Sequence, residues 1–159
     1  MRVEYINPFV EAAYNVLTEV LKEDVKRGNL YLKSATRPVM GVAAIVGLAG
    51  EVEGRVLFDM SKATALKVAS VMNDEDLAGW DDLGRATITE LANLITAQAV
   101  TKLHELGFRF DLTPPALITG ENMEMYDDYK DETETLIVPM ETSLGQIEIN
   151  VAIRERDRS

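Results

Sequence analysis

The chain predicts an α+β fold of two layers, a mainly antiparallel sheet packed with two long helices, and three patterns predict it. Apolar residues recur at helical spacing over 8–23 and again over 81–106. Two short segments, 42–46 and 53–58, joined through Ala49 and Gly50, read as a hairpin. Near the end, Ile147, Ile149, Val151 and Ile153 alternate with Glu148, Asn150 and Arg154, the period of two that a strand requires.

Each element follows from local chemistry. Asn7 before Pro8 marks the start of the first helix, because Asn caps and Pro is preorganised for the first turn; Phe9, Val10, Ala13, Val16, Leu17, Val20 and Leu21 then carry it over 8–23. Gly28 and Asn29 break it, and 30–36 can form a strand before Pro38. Ser61 can cap a helix that buries Ala65, Leu66, Ala69 and Met72 and ends near Asn73. After the polar break at Asp74, Glu75 and Asp76, the longest helix begins near Asp81 or Asp82, whose charges suit the positive end of the helix dipole. It stops at Gly107, which can take the left-handed cap, and Gly84 weakens its first turn. Segments 116–119, 135–140 and 146–153 read as strands, with Pro139 requiring an edge position or a bulge because it has no N–H to donate. The polar tail 154–159 is expected to fray, leaving about 5–155 of one domain spanning 1–159 ordered.

A length of 159 residues suits one domain with a substantial core, and 47% hydrophobic content argues against disorder. No apolar run approaches the roughly 18 residues of a membrane span, and the first residues are too polar for a secretory signal, so a soluble, cytoplasmic protein is expected. Cysteine is absent, which excludes disulfides and thiolate zinc sites. The net charge of −11, from 16 basic and 27 acidic side chains, repels phosphate backbones and anionic lipid, so neither nucleic acid nor membrane is an expected partner. The basic group Lys22, Lys26, Arg27, Lys33 and Arg37 is interrupted by Glu23 and Asp24 and reads as a solvated helix end.

The most informative run is Thr89-Glu-Leu-Ala-Asn-Leu-Ile-Thr-Ala-Gln-Ala-Val100. At about 100° per residue, Ile88, Leu91, Ile95, Ala99, Leu103 and Leu106 gather on one side of a helix, while Ala86, Glu90, Asn93 and Ala97 follow one another along the other. Exposed Glu and Asn three residues apart are common on ordinary surfaces. Here alanines bracket the pair, so another surface can come close to a carboxylate and a carboxamide. Other candidates carry less. His104, the single histidine, lies about 16 Å along the helix from Asn93 with no Ser or Cys nucleophile placed around it, and reads as a surface residue. The acidic stretch 121–134 lacks the ligand spacing of a calcium loop. Gly47, Gly50 and Gly54 follow no phosphate-loop pattern and read as turn or bulge positions. Trp80 and Tyr126 are either partner-facing aromatics or, preferably, core and loop anchors.

The helix continues into Leu103-His-Glu-Leu-Gly-Phe-Arg-Phe-Asp-Leu-Thr-Pro-Pro115. Glu-x-x-Asn on a long helix, then Gly, then Asp-x-Thr-Pro-Pro resembles the CheC/CheX family of bacterial chemotaxis phosphatases, and CheX-type members in particular. The resemblance covers about 5–155, with Thr64-Ala-Leu-Lys-Val68 in the preceding short helix included. It departs at Ala86, where the family usually has Asp or Ser. It implies hydrolysis of the aspartyl phosphate of a CheY-like receiver, with Glu90 and Asn93 as catalytic residues: Asn93 to position the attacking water, Glu90 to pair with a receiver lysine. No cofactor of the chain's own is implied; Mg2+ is expected to be supplied by the phosphorylated partner. On the first helix Glu11 is followed by Tyr14 at the motif spacing, with Asn15 one place late, so one active stripe per subunit is expected, as in CheX-like proteins. The family also implies a homodimer joined through sheets, for which the uncharged segment 42–46 is the expected edge. The alternative is a non-catalytic receiver-binding or flagellar-switch adaptor of the same fold.

Overall fold

The computed structural model describes residues 3–33, 37–120, 123–125 and 135–155. In chain order the elements are α1 (Val3–Leu21), β1 (Lys26–Arg27), β2 (Tyr31–Lys33), β3 (Arg37–Val39), β4 (Val42–Gly50), β5 (Val52–Met60), α2 (Lys62–Asn73), α3 (Asp82–Glu105), β6 (Phe110–Leu112), β7 (Ala116–Thr119), β8 (Met123–Met125), β9 (Thr135–Thr142) and β10 (Gly145–Glu155). Among the described residues, eight strands form one antiparallel sheet along the path β1-β9-β10-β5-β4-β6, with β2 also on β9 and β7 also on β4. Strands β3 and β8 pair separately.

One face of the large sheet shares a core with all three helices. Val42, Ala44, Val46, Val56, Phe58, Met60, Val138, Met140, Ile147, Ile149 and Val151 meet Phe9, Leu17, Ala65, Val68, Ile88, Leu91, Ile95 and Leu103 there. The expected mixed fold with an antiparallel sheet is present, but two layers built with two long helices is not the arrangement. The 12-residue α2 buries Thr64, Ala65, Val68 and Ala69 as a third helix. The other face of the sheet is also buried, with Ala43, Leu57, Asp59, Glu148, Asn150 and Ala152 each at most 5% exposed. The alternation in β10 therefore holds, yet Glu148 and Asn150 do not face water. Tyr31 covers part of that face and its hydroxyl donates to Glu148 Oε2 at 2.6 Å.

Three local expectations are revised. Helix α1 begins at Val3, placing Pro8 inside it. Pro costs about 3 kcal/mol within a helix, but Tyr5 and Ile6 are both buried, and each large apolar side chain gains about 1.5–3 kcal/mol on burial. The early turn is kept because tertiary packing outweighs the missing hydrogen bond. Strand β4, whose segment 42–46 was expected to be a free edge, pairs with β5 on one side and with β7 and β6 on the other, so it cannot take a strand from a second copy. Finally, Pro139 lies on β9 between the stretches that pair with β1 and β2. Its carbonyl accepts from Gly28 N at 2.8 Å, and the N–H it lacks would point the same way, toward the place where the neighbouring chain is broken. Across this break the register slips by one residue, residues 28–30 lying opposite 138 and 139, so the irregularity expected at Pro139 is present but lies in the neighbouring chain.

Arg154 and Glu155 belong to β10, so the expected fraying does not begin at 154; 156–159 lie outside the described residues, as do Tyr126 and most of the acidic stretch 121–134. No helix of the described residues is long and apolar enough to cross a membrane.

Candidate active site

Both ends of α3 are fixed by side chains close to its termini. At the start, the Asp81 carboxylate caps by accepting from Gly84 N at 3.1 Å, and Asp82 adds negative charge to the first turn. Trp80 packs on the core and lies over Gly84, where an added Cβ would come within 2.9 Å of the indole Cε3. The glycine that locally weakens the helix is the one that admits the anchor. At the far end, Gly107 takes φ +93, and the backbone N–H groups of Gly107 and Phe108 donate to the carbonyls of His104 and Leu103. Tyr5 of α1 then meets Phe108 and Phe110 edge-on, with ring centroids 5.0 and 5.4 Å away.

Along its length α3 carries threonines, which favour strands. The hydroxyls of Thr87, Thr89, Thr96 and Thr101 donate to the carbonyls of Leu83, Arg85, Ala92 and Ala97, four residues back in each case, so each polar group is satisfied within the helix. Asn73 of α2 reaches across, donating from Nδ2 to Thr87 Oγ1 at 2.8 Å, which locks the two helices together.

Ile88, Leu91, Ile95, Ala99 and Leu103 are buried as the spacing predicts, whereas Leu106, at the cap, is exposed. Ala86, Glu90, Asn93 and Ala97 are all exposed on the opposite side, so Glu90 and Asn93 stand one helical turn apart on a single ridge with an alanine beyond each. Among the described residues no ion pair engages Glu90, and Arg85 donates to Asp82. The ridge offers a carboxylate and a hydrogen-bonding amide, with an alanine beyond each along it. His104 is exposed near the end of the same ridge. Among the described residues no three His, Cys, Asp or Glu side chains gather into a metal-binding group.

Glu11 and Asn15 of α1 line a cleft with Gln98, Thr101, Lys102 and Glu105 of α3 instead of repeating the ridge. The Tyr14 hydroxyl donates to Asp24 Oδ1 at 3.3 Å. One feature of α3 escaped the sequence reading: Leu83 and Leu94 are exposed along the flank of the ridge. Helical spacing alone would have found them, since neither lies on the side of Leu91 and Ile95.

A family model described as Chemotaxis phosphatase CheX matches residues 42–141, more than half of the chain and all of α3. The CheY-P phosphatase CheX of Thermotoga maritima is 28% identical over 126 residues, which span 79% of this chain and 81% of that protein. Among solved structures, a chain of the CheX-CheY-BeF3-Mg+2 complex from Borrelia burgdorferi is 45% identical, with 97% of this chain and 100% of that one covered and a TM-score of 0.81. The chemotaxis protein CheX from Desulfovibrio desulfuricans is 25% identical, with coverage of 96% and 100% and a TM-score of 0.84.

Proposed function

Since the chain belongs to the CheX family of chemotaxis phosphatases, we propose that it hydrolyses the aspartyl phosphate of a CheY-like receiver in the cytoplasm. The observation that carries this reading is the joint exposure of Glu90 and Asn93 on one ridge of α3, with only alanines beyond them. An acyl phosphate is already activated, and the receiver brings the phosphoryl group with its own Mg2+, which neutralises phosphoryl charge. What remains to be supplied is a water held in line. The Asn93 carboxamide both donates and accepts, so it can hold that water at any physiological pH. The water oxygen bonds to phosphorus as the bond to the aspartyl oxygen breaks; the receiver recovers a carboxylate, the water's protons pass to the phosphate and to solvent, and inorganic phosphate departs. Glu90, anionic and exposed, pairs with a lysine of the receiver, which orients the docked helix and loosens that lysine's hold on the phosphate.

The direct test is phosphate release from a CheY-like receiver charged with acetyl phosphate, measured with and without the protein. Acceleration over the receiver's own decay is expected. Glu90→Ala is expected to weaken receiver binding by about 2 kcal/mol, roughly 30-fold, because the pair is desolvated on docking. Titration calorimetry against the activated receiver measures it, and unchanged affinity with an unchanged rate would remove Glu90 from the site.

Ala86 favours a second reading, a receiver-binding or flagellar-switch adaptor without hydrolysis, because an exposed methyl one turn before Glu90 brings no polar atom to the ridge. Tight binding of the activated receiver with no phosphate release would establish it.

The same proposal includes a homodimer, now through a different strand. Among the described residues β2 pairs only with β9, and Leu30 just before it and Leu32 within it are half-exposed. A second copy laid along this margin would cover both leucines and leave the α3 ridges open. Light scattering is expected to give a dimer for the parent and a monomer for Leu32→Glu. A parent that is monomeric at micromolar concentration would exclude the dimer.

A further inference from the structure

The proposed reaction rests on a contact that Glu90 alone cannot make strong. A carboxylate and a lysine meeting in water gain little, because water solvates both as well as they solvate each other. An effective contact needs neighbouring surface that closes around the pair and excludes water.

The α3 ridge has such surface on one flank. With Asn93 as origin, at about 100° per residue, Ala86 and Ala97 fall within about 40°, Glu90 at about 60°, Leu83 at about 80° and Leu94 at about 100°. Leu83 is 41% and Leu94 39% exposed, whereas Leu91 and Leu103 of the same helix are fully buried. On the other flank Thr89 and Val100 are half-buried. The two open leucines are eleven residues apart, so they stand about 16 Å apart along the axis on nearly the same line. One lies two turns before Glu90 and the other about one turn after it. A single exposed leucine is ordinary. Two aligned on the open side of a carboxylate–carboxamide pair place one apolar side chain before Glu90 and one after it along the axis.

On the reading that α3 docks a phosphorylated receiver, we infer that Leu83 and Leu94 are the apolar anchors of that docking surface. The partner they fit presents apolar side chains alongside the lysine that pairs with Glu90. Covering the leucines dries the surroundings of the ion pair and sets affinity for the receiver, while Asn93 sets the rate once the receiver is docked.

The test is a steady-state comparison with a CheY-like receiver charged with acetyl phosphate, together with binding of the beryllofluoride-activated receiver. The variants are Leu83→Gln, Leu94→Gln, the double variant, and Leu106→Gln as an exposed control beyond the ridge. Each ridge variant is expected to raise KM and Kd several-fold and the double variant about ten-fold or more, with kcat within two-fold of the parent. Leu106→Gln is expected to change none of them. Melting curves should superimpose, as these side chains are partly solvated. Parent-like KM and Kd in the double variant, while Asn93→Ala still slows turnover strongly, would overturn this inference and leave the phosphatase reading standing. An equal loss in Leu106→Gln would also overturn it. A parent that neither binds nor dephosphorylates the receiver would overturn both.

Discussion

Asn93→Ala is expected to slow receiver dephosphorylation by about 10²-fold or more while receiver affinity and melting temperature stay near those of the parent. The size follows from what the side chain does. Holding a water in line converts an encounter from bulk solvent into a reaction within a complex, and well-oriented reactants gain several orders of magnitude from that conversion. The fold is insensitive because Asn93 is exposed and its side chain bonds nothing else among the described residues; its carbonyl accepts a long 3.3 Å contact from Thr96, which alanine preserves. Single-turnover decay of the phosphorylated receiver at saturating protein isolates the chemical step. A variant decaying at the parent rate would mean that Asn93 has no part in positioning water.

Gly54→Ala is expected to destabilise the protein by about 3 kcal/mol or more. Gly54 pairs with Ile153 in the centre of the sheet, and its φ is +156. A Cβ added there would lie 2.0 Å from the Ala152 carbonyl oxygen and 2.9 Å from the Ile153 Cα, so backbone would have to move in a strand bonded on both sides. For a chain of this size a loss of this magnitude lowers the melting temperature by about 6–12 °C. Gly79→Ala is the matched control, since nothing lies within 4 Å of a Cβ built there, and a shift below about 2 °C is expected. Equal melting temperatures for the two variants would show that the strands accommodate the methyl by a local shift.

The long helix was legible because its signals are local. Asp81 caps within three residues, Gly107 ends the helix by its own conformation, and the apolar period sorts buried from exposed side chains without reference to the rest of the chain. The ridge carrying Glu90 and Asn93 was readable for the same reason. What the sequence hid depends on distant partners. The early start of α1 depends on Tyr5 finding Phe108 and Phe110. The burial of Glu148 depends in part on Tyr31, 117 positions away. Strands β1, β3, β6 and β8 have two or three residues each, too few to display a period of two. The interior place of β4 was missed because an uncharged run of small apolar residues suits a strand paired on both sides as well as one awaiting a partner.

The strand order also dictates a sequence of events during synthesis. The β4–β5 hairpin closes beyond the Leu48–Gly54 pair through the short connection 49–53 and can form as soon as it is made. The other side of β5 is completed by β10, with Met60 matched to Ile147 and Val52 to Glu155. Until about ninety further residues have been translated, at roughly 5–20 per second, that side stays open and can template pairing with another nascent chain. Glu53, Arg55 and Asp59 recur along β5, charges of the kind that discourage such pairing. Closure by β10 joins the ends of the fold, where the Tyr5 hydroxyl donates to Glu155 Oε1 at 3.3 Å across 150 positions. Contacts of such separation make folding slow relative to helix formation, so the helices can coil early on the ribosome, but α1 and α2, which pack on β10, are fully seated only after that strand arrives.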